Sequence, residues 1–393
     1  MLTWSERRIA GLPKRELGPT DFAKLEVLRG IAALYVVLNH SRGNLWAGYR
    51  YVLEHDIDLG RWGQWVAKAN VLTRLGEQFV TVFFVLSGFS IAHSLARRND
   101  VVAFLERRLV RLYPPYLVAL AYAAAISLLI GIFAPNLLTL EAGEDSIYAI
   151  LGRSQDAFSL KKLTLMLLYV DKNAFTPQFW SLTHEWIFYL TVPFCLRLPR
   201  TYIALSLLLY PIGLWLEPNV PGILIRYLVY NGYFVVGIVC FRHYDRTVQG
   251  LGRLPGRVLA VLLLACFAGM LAANVFAPES PLSSILAALL AVLGMAALLE
   301  HRVQLGLLER LGEFSYTLYL THFATVLLVL AVLHGVFGFA QPILHPLLWV
   351  VAVPVTIAAA WVLYWAGEYP TRRWLLQLRK ADSNKPAAAI QLR

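Results

Sequence analysis

The chain predicts an all-α, polytopic integral membrane protein of about ten transmembrane helices, with both termini cytoplasmic. Three observations predict it. First, its 393 residues are 58% hydrophobic and only 15% charged, with a mean hydropathy of +0.59, whereas a soluble domain is about 25% charged. Second, ten apolar stretches approach the ~20 residues that cross a bilayer as a helix. Third, lysine and arginine gather on alternate loops.

The stretches fall near 24–43, 76–96, 114–134, 179–197, 202–216, 223–241, 257–277, 283–299, 315–336 and 343–366. The first is weak by hydropathy, because Lys24, Glu26 and Arg29 crowd its start. The third is expected to begin at a Pro114-Pro115 break, after a basic loop, ARRNDVVAFLERRLVRLYPPY. The fifth is short. LTLMLLYV, 163–170, is too short to span and reads as re-entrant or interfacial. The polar, basic start, 1–21, lacks the apolar h-region of a cleavable signal peptide, so the first span acts as its own insertion signal. A membrane domain, 22–370, follows, and then a basic tail, 371–393.

Placing the N-terminus in the cytoplasm puts 24 of the 35 Lys and Arg on inside segments and 10 outside, with Arg29 within the first span. The short outer turns EPNVPG and PES hold neither residue. Topology therefore accounts for the net charge of +11 better than nucleic acid does, and no nucleic-acid partner is expected. Cys195, Cys240 and Cys266 lie in or at the ends of apolar spans without CxxC spacing, which argues against a disulfide framework or a zinc site.

The run LEVLRGIAALYVVLNH puts Arg29 and His40 eleven residues apart. Eleven steps of about 100° end ~20° past three turns, so the two share a face and stand ~16 Å apart. Ionisable groups in a membrane face a bundle interior or an aqueous path, and an imidazole exchanges protons near neutral pH. The bland reading is a snorkelling arginine and a helix-capping histidine. Ser181 and Glu185 in the fourth span are i and i+4, hence on one face, and counting residues puts them at the depth of His40. Glu185 is the expected partner that orients the His40 imidazole, against a purely structural interhelical bond. His184 points about 100° away from Glu185.

Arg107, Arg108 and Arg111 cluster in the basic loop before span three. Arginine matches phosphate geometry with paired N–H groups, so they read as a phosphate site or as an anchor for anionic lipid. Ser87, mid-span in VFFVLSGFSIAHS, has no GxSxG elbow and reads as packing or substrate hydrogen bonding. Ser315, Tyr319 and His322 form a polar stripe in the inner half of span nine. His93, His301, His334 and His345 receive no role. No HExxH, no Walker A and no DxD-type acidic pair appears at a membrane edge.

Taken together, these segments resemble the acyltransferase-3 family of membrane O-acyltransferases, over roughly 22–370. The matching motifs run in order: Arg29-x10-His40, Phe83-Phe84-Val-Leu-Ser87-Gly88-Phe89, Arg108-x-x-Arg111 before Tyr113-Pro114, Trp180-Ser181-Leu182 to Glu185, and Ser315-Tyr316 through Tyr319 to His322. One departure is that Phe79-Val80-Thr81-Val82 stands where the family often has Gly and an acid, with Glu77 as the nearest substitute.

The resemblance implies transfer of an acyl group, usually acetyl, from acyl-CoA to a hydroxyl of a sugar or glycosylated molecule, in a bacterial inner membrane. It implies His40 as catalytic base, with Arg29, Arg108 and Arg111 helping to bind the acyl donor. Acyl-CoA is then a co-substrate, and no bound cofactor or metal is expected. The acceptor stays open among a cell-surface polysaccharide, a glycolipid, a periplasmic glucan and a macrolide-type metabolite. The family's longer members add an extracytoplasmic esterase-like domain; this chain is expected to act alone or with a separate partner enzyme. The rival classes are a transporter, though the halves show no duplication, and a lipid-linked-sugar glycosyltransferase using Glu54, Asp56 and Asp58.

Overall fold

The computed structural model describes residues 16–97, 101–138, 158–220, 222–301, 303 and 305–383. Most of the N-terminal tail, positions 98–100 of the basic loop, the middle of the second long loop and the end of the C-terminal tail lie outside the described residues. Every regular element among the described residues is helical. In chain order the α-helices are α1 Pro19–Leu45, α2 Tyr49–Glu54, α3 Gly60–Ala69, α4 Gly76–Arg97, α5 Val101–Phe133, α6 Leu160–Leu167, α7 Trp180–Arg197 and α8 Pro199–Leu216. They continue as α9 Ile223–Arg242, α10 Val248–Gly252, α11 Gly256–Phe276, α12 Leu282–Glu300, α13 Leu307–Glu313, α14 Ser315–Gly335, α15 Ala352–Ala366 and α16 Glu368–Ser383.

All ten predicted spans are helical over most of their length. Among the described residues, seven helical segments are long and apolar enough to cross a membrane: 60–96, α5, α9, α11, α12, α14 and 348–366. The other three predicted spans are α1, α7 and α8. Their apolar runs are diluted by Lys24, Glu26 and Arg29 in α1, by His184 and Glu185 in α7, and by Pro199-Arg200-Thr201 at the start of α8. Large apolar side chains cover the outside of the bundle, among them Leu128, Ile132 and Phe133 of α5, Leu208 and Trp215 of α8, Leu264 of α11 and Val362 of α15. Lipid is the solvent for such a surface, since water-facing apolar patches are small. The protein is a multi-pass membrane protein.

One boundary differs from expectation. The basic segment before Pro114 is not a loop but the first turns of α5, which runs unbroken through Pro114 and Pro115. Each proline removes one N–H from the helical ladder. Neighbouring helices can compensate such losses, and Tyr316 Oη of α14 donates to the Leu112 carbonyl beside the gap (3.4 Å). Arg107, Arg108 and Arg111 therefore project from a rigid helix. LTLMLLYV forms the short α6 and the turn after it, which docks on α5: Tyr113 and Tyr116 donate to the carbonyls of Leu167 and Met166, both at 2.7 Å.

The centre of the bundle is α1, packed against α4, α12, α13 and α14, with α9 also laid along α4. Glycines set how close these helices come. A Cβ on Gly237 of α9 would stand 2.0 Å from the Val85 carbonyl oxygen, and one on Gly88 of α4 would stand 1.9 Å from that of Phe234. Small residues at such crossings allow backbone contact between membrane helices. Likewise a Cβ on Gly30 of α1 would meet the Gly312 nitrogen at 2.8 Å.

Gly237→Ala should therefore push α4 and α9 apart. Overpacking typically costs about 1–3 kcal/mol, and backbone neighbours give way less readily than side chains. The expected result is a clear fall in the melting temperature of the detergent-solubilised protein. Gly250→Ala, whose added Cβ would meet nothing closer than 3.7 Å, should leave it unchanged.

Candidate active site

Two connected cavities open at the end of the bundle that holds the start of α1. The outer one, about 600 Å³, is lined by Arg29 of α1, Arg107, Arg108 and Arg111 of α5, and Arg372 of α16, with Glu26 among them. The inner one shares Glu26, Arg29, Arg108 and Arg111 and adds Ser87, Ser181, Glu185, Ser315, Tyr316 and Tyr319. The arginine-rich wall suits a phosphate-bearing ligand. Arg29 donates to Ser90 Oγ of α4 (3.4 Å). The Arg108 guanidinium lies over the rings of Phe104 and Tyr189, 5.2 and 5.5 Å from their centroids, so stacking fixes its direction. Glu368, just past the last spanning segment, accepts from the Thr317 backbone N–H (3.0 Å) and hydroxyl (2.8 Å). Burial pushes its carboxyl above the ordinary carboxylate pKa, against the pull of Arg372.

The inner cavity ends where α7 meets α14. There Ser181 Oγ and Tyr319 Oη are 2.7 Å apart, and both hydroxyls also reach the Gln178 carbonyl at 3.1 Å. One turn further along α14 lies His322, fully buried, and across from it His40 of α1. His40 Nδ1 and His322 Nε2 are 2.7 Å apart, in nearly parallel rings. His322 Nδ1 is 2.7 Å from the Tyr319 carbonyl oxygen. A carbonyl can only accept, so His322 Nδ1 carries the proton. In a neutral pair His322 Nε2 then accepts, and His40 Nδ1 donates to it. This leaves His40 Nε2 without a proton, the state a general base requires.

The expected partner of His40 is thus replaced. Glu185 accepts a short hydrogen bond from Tyr189 Oη, one turn along its own helix, and it lines the inner cavity with Arg29, Arg108 and Arg111. Ser181 meets Tyr319, and Glu185 lies a turn further towards Ser315, away from His322. Nor is His322 confined to a level below His40, since the two rings touch. Ser87, Ser181 and Tyr319 do line the cavity. His184 is buried, with Nδ1 donating to the Trp180 carbonyl (2.9 Å). Glu77, the substitute for the missing acid, accepts from Tyr230 Oη (2.7 Å). Sequence reasoning missed Glu26 and Arg372 as cavity residues. Glu26 carried a signal, being one turn before Arg29, whereas Arg372 carried none.

The site thus joins an arginine-lined cavity to a buried histidine pair, both reached from helix α1. The family model for the acyltransferase domain named acyltransferase 3 matches residues 22–365. The chain belongs to that family and is an acyltransferase. Acyltransferase MdmB of Streptomyces mycarofaciens is 31% identical over 69% of this chain and 73% of its own length. Exopolysaccharide production protein ExoZ of Rhizobium meliloti (strain 1021) is 28% identical over 63% of this chain and 76% of its own. Protein 2 in picA locus of Rhizobium radiobacter is 27% identical over 36% of this chain and 62% of its own. No solved structure matches the chain.

Replacing Arg108 and Arg111 together with Gln should raise KM for the acyl donor with a smaller fall in kcat. Contacts remote from the reacting carbon bind ground state and transition state alike. Steady-state kinetics with varied acyl-CoA would check this; an unchanged KM removes both residues from donor binding.

Proposed function

We propose that the protein transfers an acyl group, acetyl being the simplest case, from acyl-CoA to a sugar hydroxyl in a bacterial inner membrane. One observation carries the reading: α1 presents Arg29 to the arginine-lined cavity and, ~16 Å further along, presents His40 to the paired histidine. An extended pantetheine arm is suited to bridging such a separation while its phosphates stay among Arg29, Arg108 and Arg111.

Lys and Arg are concentrated on the loops at the arginine end, which favours a cytoplasmic position for that end and both termini. His40, five residues before the end of α1, is then nearer the outer face, where an exported acceptor arrives. In the reaction, His40 Nε2 takes the proton from the acceptor hydroxyl as its oxygen attacks the thioester carbon. The C–S bond breaks, and the proton passes from imidazolium to the departing thiolate. His322 holds the required tautomer and shares the developing positive charge. A sugar hydroxyl on a surface polysaccharide is favoured as acceptor because a relative is an exopolysaccharide production protein. The decisive test is purified protein in nanodiscs with acetyl-CoA: free CoA should appear faster when a glycan acceptor is added. Transport of the glycan without CoA release would defeat the reading.

His40→Ala should reduce transfer on the order of 10²–10⁴-fold, the usual worth of a general base, with insertion into the membrane intact. His322→Gln, whose amide oxygen can accept from His40 Nδ1, should retain more activity than His322→Leu. The double variant His40→Ala/His322→Leu should be no worse than His40→Ala, because residues acting as a unit share one loss. Multiplying losses would make His322 an independent structural residue.

A further inference from the structure

The outer cavity contains a carboxylate whose two oxygens both face arginines. Glu26 Oε2 forms a short ion pair with Arg372 Nη2, and its Oε1 is 3.9 Å from Arg111 Nη2. All three side chains line the cavity, and all three are partly solvent-exposed (25%, 32% and 37%). A carboxylate bridging two guanidiniums occupies the geometry that a phosphate would take between the same groups. The partners are not equally dependent on each other. Arg372 also donates to the Glu313 carbonyl and stands 3.9 Å from Glu368, so it keeps its place on α16 when Glu26 leaves. Glu26 of α1 lines the same cavity and its side chain is partly exposed.

We propose that Glu26 is a resident counter-anion that a phosphate of the acyl donor displaces, and that Arg372 is a phosphate ligand supplied by the C-terminal helix. The inference rests on the donor reading above and extends it to two residues outside the family motifs. It explains why an acid stands in a site built for an anion: the carboxylate keeps guanidiniums apart from one another's repulsion while the site is empty. The donor then exchanges one anion for another, with no guanidinium left unpaired at either stage.

The test is equilibrium binding of CoA in nanodiscs, with phosphate-free pantetheine as control. Glu26→Gln keeps the size and removes the competing charge. It should tighten CoA binding by about two- to fivefold, the range for a partly exposed charge pair. Arg372→Gln should weaken CoA on the order of tenfold, as loss of a charge-assisted bond does, and leave pantetheine binding unchanged. In the Arg372→Gln background the gain from Glu26→Gln should shrink. If Glu26→Gln weakens CoA as Arg372→Gln does, the pair is a brace for α16 and the proposal fails. If Glu26→Gln does not fold, Arg372→Gln decides alone: unchanged CoA affinity, or an equal loss for pantetheine, overturns the phosphate role. Wild-type protein that binds no CoA instead removes the donor reading itself.

Discussion

An ionisable group inside an apolar bundle must be matched, because an unpaired buried charge is far costlier than a paired one. Three of the ionisable groups on helix α1 define the site, and each is met by a different element. Glu26 is met by Arg372 of α16, Arg29 by Ser90 of α4, and His40 by His322 of α14. The position of α1 therefore sets the alignment of the whole site. That position depends on the backbone contact between Gly30 and Gly312, which lets α13 lie against α1 beside Glu26. Any side chain there would move Arg29 and Glu26 out of register with the arginines of α5.

Much of this was legible in the sequence, for reasons that separate local from distant information. Apolar runs near 20 residues located the spans because lipid demands that length of helix. The 3.6-residue turn placed Arg29 and His40 on one face and Arg108 with Arg111 on another. Partners far apart in sequence were not legible: His40 and His322 are 282 residues apart, Glu26 and Arg372 346. His322 was visible as part of a polar stripe, but its depth was not. The helices are staggered, so that a residue two turns into α14 lies level with one near the end of α1.

Glu185 shows how a sound local argument can select the wrong partner. Its i, i+4 relation to Ser181 holds, and Ser181 does lie one turn of α14 from His322. The direction was the missing quantity. From Ser181 the chain of α7 continues towards Ser315, so the next turn carries Glu185 away from the imidazoles and into the arginine-lined cavity. Its need for a hydrogen-bond donor is met within its own helix by Tyr189. A carboxylate on that wall bears on the charge of the cavity, not on the tautomer of His40. Pro114 and Pro115 mislead in a similar way: they weaken a helix in isolation, yet α5 continues because helices on both sides hold it.

The distance between the two halves of the site has a chemical consequence. The arginines and the imidazoles are separated by the Ser181–Tyr319 bond, which forms the inner end of the cavity. Both hydroxyls also lie 3.1 Å from the carbonyl oxygen of Gln178, to which whichever is not donating to the other can donate, and the Gln178 amide donates to the Leu320 carbonyl (2.7 Å). In the proposed reaction, an acyl group moving from the arginines to His40 would pass this junction between α7 and α14. Hydroxyls can rotate and exchange partners at little cost, whereas displaced backbone or a broken ion pair would be expensive in this setting. A hydroxyl junction thus lies between the arginine-lined cavity and the histidine pair. In the proposed reaction, this arrangement would let the donor enter at the arginine end and the acceptor at the His40 end, with the hydroxyl pair between them.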